Sequence, residues 1–172
     1  EFRRVLFRSN PSIGVASNLL VDEGGSSILS ETTEVIGAEH LLATRFEDEE
    51  MKDKFLKFVS DVEKRAIAMG EDLRSGQPTP GNKAGGLSTI EEKSLGCMYK
   101  AGNKPFKGAL EYADIVPPDK KGLYFMDTPG QDIDSITGMV AGGAQIVIFS
   151  TGRGTPTGSP ISPVIKITGN SD

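Results

Sequence analysis

Two lysines lie in a glycine-rich segment whose composition is not explained by the requirements of folding alone. Residues 77–97 contain Lys83 and Lys93 together with several glycines. Pro78 and Pro80 restrict the backbone, while the glycines allow shapes that are closed to other residues. We therefore predict a shaped loop that presents cations to a small anion.

A helix start follows this loop. Ser88 and Glu91 lie three residues apart and form the pattern of a capping box, which predicts a helix from Thr89. The free N–H groups and the positive end of the helix dipole would then lie beside the loop. Anions bind readily at such helix starts. A substrate carboxylate is therefore expected at this position.

Carboxylates cluster upstream, around the single histidine of the chain. Glu31, Glu34 and Glu39 stand within ten residues of His40. Carboxylate oxygens with one imidazole suit iron(II), manganese or magnesium better than zinc. A lone histidine is also often structural, so both interpretations of His40 stay open.

A third polar cluster spans residues 150–159 and presents Arg153 between two glycines. Its glycine spacing differs from that of a dinucleotide-binding loop, and its prolines forbid the helix that such a loop requires. Residues 127–130 match the short Asp-x-x-Gly element of GTP-binding proteins, but no phosphate loop precedes them. Both nucleotide-binding interpretations are therefore rejected.

Apolar strands that alternate with helices must position these clusters. Continuous apolar strands of this kind predict an α/β fold with a mostly parallel sheet flanked by helices. Ligands of such sheets bind beyond the carboxyl ends of the strands, where the polar clusters fall. The predicted helices cover residues 13–21, 37–42, 47–70 and 133–141 and a segment from residue 89, and the predicted strands cover residues 26–30, 109–115, 123–126, 146–149 and 164–167.

The composition narrows the class of protein. A chain of 172 residues with 37% hydrophobic residues suits one domain with a sizeable core. Its single cysteine, Cys97, excludes an internal disulfide framework and is interpreted as a small, buried helix residue. No apolar run reaches the roughly 20 residues that span a bilayer, so we expect a cytoplasmic protein without a membrane partner.

Residues 1–9 read like a translated sequencing-library adaptor, and we expect them to be foreign to the fold. Their removal takes away three arginines and one glutamate and moves the formal charge from −5 to −7. Because no basic stripe remains, nucleic acid is not expected as a partner. Residues 10–172 are then expected to be a fragment of a domain, truncated at both ends.

Three motifs, in order, resemble the altronate and galactarate dehydratase family. They are SETTE with GAEH in residues 30–40, PGNKAGG with EKSLG in residues 80–96, and TGRGT in residues 151–155. The resemblance covers residues 10–172 and implies a metal-dependent lyase that removes water from sugar acids. That family includes a sulfolactate sulfo-lyase subunit, and residues 127–130 and 137–143 look at least as close to that branch.

The resemblance also implies an architecture and partners. The fold would be a C-terminal catalytic domain with a Rossmann-like variant of the parallel sheet. The substrate would be a small hydroxy acid, and the cofactor a divalent metal, Fe²⁺ before Mn²⁺ or Mg²⁺. The full-length protein would be a homodimer, or would bind a small partner subunit if it is a sulfo-lyase.

Site residues follow from the same motifs. Removing a proton next to a carboxylate creates enolate-like charge that must be stabilised as it forms, so both acidic groups and cations are needed. The order of Glu31, Glu34 and His40 in the chain does not separate metal ligands from a general base. We assign Glu31, Lys83 and Lys93 as catalytic, Asn82, Thr151, Arg153 and Thr155 as substrate-binding, and Glu34 and His40 as metal ligands. A sulfo-lyase and a non-catalytic module that binds sugar acids stay open as alternatives.

Overall fold

The computed structural model describes residues 4–152 and 154–169. Within these residues the chain has an α/β fold in which the paired strands run parallel. The helices are α1 (Asn10–Asp22), α2 (Thr32–Val35), α3 (Glu39–Ala43), α4 (Glu49–Ala68), α5 (Leu73–Gly76), α6 (Pro80–Ala84), α7 (Ile90–Met98) and α8 (Asp132–Ala141). The strands are β1 (Ser27–Leu29), β2 (Phe106–Leu110), β3 (Leu123–Met126), β4 (Val147–Thr151) and β5 (Val164–Thr168).

β3 is the centre of a three-stranded sheet, with β1 on one side and β2 on the other. Its four residues are all buried, as expected of a central strand in a parallel sheet. The register pairs Leu29 at the end of β1 with Phe125 near the end of β3. The two strands therefore end at the same edge, which brings Ser30 and Asp127 to one side of the sheet.

β4 and β5 form a second parallel sheet, paired from Val147 with Val164 to Thr151 with Thr168. The predicted α/β class with parallel strands is confirmed, but the described strands divide into two sheets. β1 and β4 do not pair with each other, and residues of both line a common cavity.

The core is built on α4, whose predicted amphipathic pattern is confirmed. α4 buries Phe55, Phe58 and Val59 against the three-stranded sheet. Phe55 lies edge to face with Phe125, with ring centroids 4.8 Å apart, and Phe46 stacks on Phe106 at 4.8 Å. This aromatic cluster fixes α4 on the face of β2 and β3.

Two predicted boundaries were wrong. The strand expected at residues 109–115 is β2, which ends at Leu110 because a turn closes there with Asp114 N–H donating to Glu111 O at 3.1 Å. The segment expected to be an irregular loop contains the single turn α6. Pro80 stands at its first position, where proline fits a helix, and Lys83 N–H donates to Thr79 O at 3.0 Å.

The start of α7 is shifted by one residue from the prediction. Thr89 is the capping residue, and its hydroxyl accepts from Glu92 N–H at 3.2 Å. The carboxylate of Glu92 in turn accepts from Ser88 N–H at 2.9 Å. The cap therefore uses Thr89 and Glu92 rather than Ser88 and Glu91, and the Glu92 carboxylate bonds to the residue before the cap instead of to Thr89.

Residues 4–9 are helical and lead directly into α1. Val5 and Leu6 are buried, although residues 1–9 were expected to lie outside the fold. Leu6 packs against Gly96 of α7 so closely that an added Cβ there would lie 2.4 Å from the Leu6 side chain. The packing does not test the origin of this segment, so its foreign origin stays a prediction.

Among the described residues, every helix is too short or too polar to cross a lipid bilayer.

A steric prediction follows from the contact between α1 and the turn after α7. A Cβ on Gly14 would lie 2.0 Å from Tyr99 O and 2.9 Å from Gly102 N. Overpacking of this kind costs about 1–3 kcal/mol, more than the roughly 1 kcal/mol that alanine gains over glycine in a helix. We expect Gly14→Ala to lower the free energy of unfolding, measured by chemical denaturation.

Gly76→Ala is the matched control, because no atom lies within 4 Å of the Cβ it would add. We expect this variant to stay within about 0.5 kcal/mol of the parent. Equal stability of the two variants would contradict the close packing of α1.

Candidate functional site

A cavity of about 970 Å³ lies along β1 and β4, and its lining continues from residues 24–26 before β1 to Ser30 and Glu31 after it. Its volume is that of a small-molecule binding site, and part of its polar wall lies at the carboxyl end of β1, where a parallel sheet places ligands. One part of its wall is apolar and includes Leu20, Ile28 and Met139. The polar part includes a group that we call the carboxylate cluster, which consists of Glu31, Glu34, Lys93, Cys97 and Lys100.

One face of α7 supplies three members of the carboxylate cluster. Lys93, Cys97 and Lys100 follow each other at steps of four and three residues, so they lie on one side of the helix and its final turn. The two sides of α7 that flank this face are held by its neighbours. The Ser94 hydroxyl donates to Ile36 O, and Asn10 Nδ2 donates to Gly96 O at 3.0 Å.

Lys100 and Glu34 form an ion pair with 2.9 Å between Nζ and Oε2. Each side chain is only about one-fifth exposed, at 20% and 21%. Burial alone would raise the pKa of Glu34, but the charges of Lys100 and Lys93 and the hydrogen bonds from Lys100 and Cys97 lower it to about 2. Glu34 is therefore ionised at neutral pH.

Glu31 is in the opposite state. Burial and the negative charge of Glu34 raise the pKa of Glu31 to about 8, although Lys100 and Lys93 act against this rise. Two adjacent carboxyl groups with separated pKa values commonly divide into a proton carrier and a fixed charge. Glu31 thus holds a proton at neutral pH while Glu34 remains an anion.

Cys97 is buried, as its interpretation as a buried helix residue predicted. Burial raises the pKa of its thiol well above the usual value. The neutral thiol interacts by a hydrogen bond with the Glu34 carboxylate. Cys97 therefore adds to the stabilisation of the Glu34 anion.

The backbone of Glu31 is strained. Its φ is 70° and its ψ is 81°, in the left-handed region that residues other than glycine rarely adopt. Backbone strain of this kind persists only where surrounding contacts enforce it, and it clusters at functional sites. Here the Glu31 N–H donates to Thr128 Oγ1 at 2.9 Å.

The structure brings together most of the residues that the sequence singled out. Glu31, Glu34, Asn82, Lys93 and Thr151 all line the cavity. Thr155 lies nearby, because its hydroxyl donates at 2.6 Å to Asp132, which also lines the cavity. Arg153 lies outside the described residues. Lys83 and His40 do not line the cavity: each is exposed, on α6 and α3 respectively.

Sequence reasoning did not find Lys100 and assigned no role to Cys97. Their spacing from Lys93 along a helix was the available signal, because it places three polar or ionisable side chains on one face. The predicted anion site at the start of α7 is not formed as expected. The carboxylate of Glu92 already occupies that position and accepts from Ser88 N–H and Oγ.

The described residues do not fit the expected metal. Among residues 4–152 and 154–169, no group of three or more histidine, cysteine, aspartate or glutamate side chains is arranged to hold an ion. Glu34 is paired with Lys100, and His40 is exposed and apart from the cavity lining. The divalent metal and the ligand roles of Glu34 and His40 stay predictions.

The strain at Glu31 can be measured directly. We expect Glu31→Gly to be more stable than Glu31→Ala by about 1 kcal/mol, because alanine bears the cost of the left-handed backbone and glycine does not. Both variants lose the carboxyl group, so their difference in unfolding free energy isolates the backbone. An alanine variant at least as stable as the glycine variant would contradict the positive φ.

The raised pKa of Glu31 predicts a pH dependence of stability. The group ionises at its ordinary value of 4.5 in the unfolded chain but at about 8 in the folded chain. The folded state therefore binds more protons between these values. The contribution of Glu31 to stability is full below pH 4.5 and is lost as the pH rises through 8.

Carbon-13 NMR of the metal-free chain tests this prediction. We expect one glutamate carboxyl group to titrate near pH 8 in the parent chain. Glu34→Gln should lower that midpoint, because the neighbouring negative charge disappears while the lysines remain. A parent chain in which all carboxyl groups titrate below about pH 6 would contradict the separated pair.

Comparison with known proteins supports the resemblance. A family model described as "D-galactarate/Altronate dehydratase, C-terminal" matches residues 7–172. The altronate dehydratase of Bacillus subtilis (strain 168) is 40% identical over 164 residues, which are 95% of this chain and 32% of that protein. The galactarate dehydratase (L-threo-forming) of Escherichia coli (strain K12) is 40% identical over 159 residues, which are 92% of this chain and 30% of that protein.

A third relative carries a different name. The (2R)-sulfolactate sulfo-lyase subunit beta of Chromohalobacter salexigens is 35% identical over 167 residues, which are 94% of this chain and 42% of that protein. The chain thus spans between about a third and two-fifths of the length of these relatives. The resemblance predicted from the motifs is confirmed. Because the family model covers nearly the whole chain, the chain belongs to the D-galactarate/altronate dehydratase family, in its C-terminal region.

Proposed function

We propose that the protein containing this chain is a lyase that removes water from a sugar acid such as altronate or galactarate and forms a 2-keto-3-deoxy acid. The main support is the carboxylate cluster, in which a protonated and an ionised carboxyl group lie beside two lysines in one cavity. Relatives named as altronate and galactarate dehydratases match over this same region.

The elimination step requires two proton transfers. The C2–H bond of the acid breaks and its proton passes to a base, while the C3–O bond breaks and the leaving hydroxide takes up a proton to become water. The resulting enol then moves its hydroxyl proton to C3 and becomes the 2-keto acid. A general acid performs such a transfer best when its pKa lies near the pH at which the enzyme works.

Glu31 is the group suited to carry a proton. It is neutral at neutral pH and has a pKa of about 8, so we propose that it donates to the leaving hydroxide. Glu34 has a pKa of about 2, too low for a proton carrier. We propose that Glu34 keeps Lys100 charged and aligned, and that its charge maintains the proton on Glu31.

Lys93 supplies positive charge for the substrate. It lines the cavity, and its charge acts on both Glu31 and Glu34. We propose that it binds the substrate carboxylate and stabilises the negative charge that develops when the C2 proton leaves. Asn82 and Thr151, which also line the cavity, would bind substrate hydroxyl groups.

A sulfo-lyase is the second candidate, and the named sulfolactate relative favours it. Its chemistry begins with the same loss of a proton next to a carboxylate, but the C3–S bond breaks and sulfite leaves. Sulfite leaves as a weak base and needs less protonation than hydroxide. A smaller loss of activity on substitution of Glu31 would therefore accompany this alternative.

Turnover assays of the full-length protein test the proposal. Altronate, galactarate and (2R)-sulfolactate are supplied separately, and 2-keto acid and sulfite are measured. The proposal expects 2-keto acid without sulfite from one of the sugar acids. Sulfite release would identify the second candidate, and binding without turnover would identify a non-catalytic module.

Substitutions test the roles. We expect Glu31→Gln to lower kcat by about 10²–10⁴-fold, the usual contribution of general acid catalysis. Lys93→Met should lower kcat by about 10²–10³-fold, as loss of a group that stabilises developing charge does. Lys83→Met should have little effect, because Lys83 is exposed and does not line the cavity. Full turnover of the Glu31→Gln variant would refute the proposed role.

A metal arm accompanies these assays. We propose, from the resemblance alone, that a divalent metal assists the full-length protein and stabilises the enolate-like charge. Protein stripped with a chelator is assayed before and after addition of Fe²⁺, Mn²⁺ or Mg²⁺. Restoration by one of these ions would support the metal, and unchanged turnover of the stripped protein would refute it.

A further inference from the structure

Three hydroxyl groups, two of them buried, connect β3 and α8 to the segment that contains Glu31. Thr128 follows β3, and its Oγ1 accepts from Glu31 N–H at 2.9 Å. The same hydroxyl donates to Ser135 Oγ of α8 at 3.0 Å. Ser135 Oγ lies 3.0 Å from Ser30 Oγ, just before Glu31. We call Thr128, Ser135 and Ser30 the hydroxyl chain.

The hydroxyl chain is largely shielded from solvent and holds the backbone on both sides of Glu31. Thr128 is 2% exposed and Ser135 is fully buried. Ser135 accepts from Thr128, and either hydroxyl can donate in the contact between Ser135 and Ser30. The backbone adds a further bond, since Thr32 N–H donates to Thr128 O at 3.1 Å. Glu31 is thus held from its own amide and from the residue on each side.

We propose that Thr128 is a positioning residue, which holds Glu31 in its left-handed conformation and so directs the Glu31 carboxyl group into the cavity. This inference rests on the proposed function, in which the side chain of Glu31 acts on a substrate in the cavity. Thr128 itself is not among the residues that line the cavity. Its effect on the reaction would therefore pass through Glu31.

Strain explains why a holding group is required. Without support, a glutamate at φ 70° would relax toward the ordinary helical or extended regions. Such a change of φ points the Cα–Cβ bond in a different direction and moves the carboxyl group away from Glu34 and Lys93. A buried hydrogen-bonded network fixes one conformation best when each of its polar groups has a partner. The Thr128 hydroxyl has both of its partners, because it accepts from Glu31 N–H and donates to Ser135 Oγ.

The test uses a matched pair of substitutions in the full-length protein. Thr128→Val keeps the shape but cannot accept from Glu31 N–H, whereas Thr128→Ser keeps the hydroxyl. We expect Thr128→Val to lower kcat about a hundredfold, the effect of a misplacement of about 1 Å, with KM little changed. Thr128→Ser should retain most of the kcat of the parent.

Two further variants guard against a loss of folding. Gly70→Ala weakens the fold at the end of α4, because Gly70 has a φ of 84° that alanine rarely adopts. Gly70 does not line the cavity, so the kcat of this variant at a temperature where it is folded should match that of the parent. If Thr128→Val does not fold, Ser135→Ala replaces it, and a smaller loss in kcat with unchanged KM is expected. Equal kcat in the parent and in the folded Thr128→Val or Ser135→Ala variant would overturn the inference.

Amide hydrogen exchange measures the positioning without turnover. The Glu31 amide should be protected in the parent and in Thr128→Ser. In Thr128→Val it should exchange faster than in the parent, while the amides of β1 keep their protection. Equal protection of the Glu31 amide in all three proteins would overturn the inference, even if the parent proves to have no lyase activity. Full turnover by Glu31→Gln would instead refute the proposed function and leave the exchange result to decide the positioning role of Thr128.

Discussion

The ion pair between Lys100 and Glu34 determines the charge of the other groups in the carboxylate cluster. With 2.9 Å between the charged atoms and about four-fifths of each side chain buried, it keeps Glu34 ionised in a place where burial would favour the neutral acid. The fixed anion then favours retention of a proton on Glu31 and attracts the Cys97 thiol. Removing charges from water is costly, so such a pair adds little to stability. Its main effect is to divide two similar carboxyl groups into different protonation states.

This ion pair depends on parts of the chain that are far apart in sequence. Lys100 and Glu34 are separated by 66 residues, and they meet because α7 packs beside the short helix α2. The Ser94 hydroxyl joins the two regions through Ile36 O, and the side chain of Asn10 holds α7 from the other side. The site is thus assembled by helix packing, while the parallel strands β1 and β3 bring Glu31 to Thr128.

The sequence was most informative where periodicity and burial act together. α4 and β3 were predicted because their apolar patterns follow from the faces that they bury, and β3 was placed at its observed bounds. Glu31 and Glu34 were found because acidic residues at the end of a strand have little structural reason. The split into two sheets was not visible, since strand pairing depends on contacts between distant segments. The position of Lys83 was not visible for a similar reason. A motif does not show which way a side chain on α6 points, and Lys83 is exposed and does not line the cavity.

Lys100 was missed because its residue type is ordinary on a protein surface. Only the packing of α7 makes it different, since the same helical face carries a cysteine and a second lysine toward the cavity. The strain at Glu31 was equally hidden, because no local pattern predicts a positive φ for glutamate. In the structure the N–H of Glu31 donates to the hydroxyl of Thr128, which follows the neighbouring strand β3.

The burial of Cys97 also has a practical consequence for the study of motion in this protein. The chain contains a single cysteine, and it is only 1% exposed on the wall of the cavity. Reagents that alkylate thiols react with it only when α7 opens, because thiol reactivity requires access and a thiolate. The labelling rate therefore reports how often this wall of the cavity separates from its neighbours, a local opening that can be far more frequent than complete unfolding. The native sequence thus contains its own probe of the dynamics of the site.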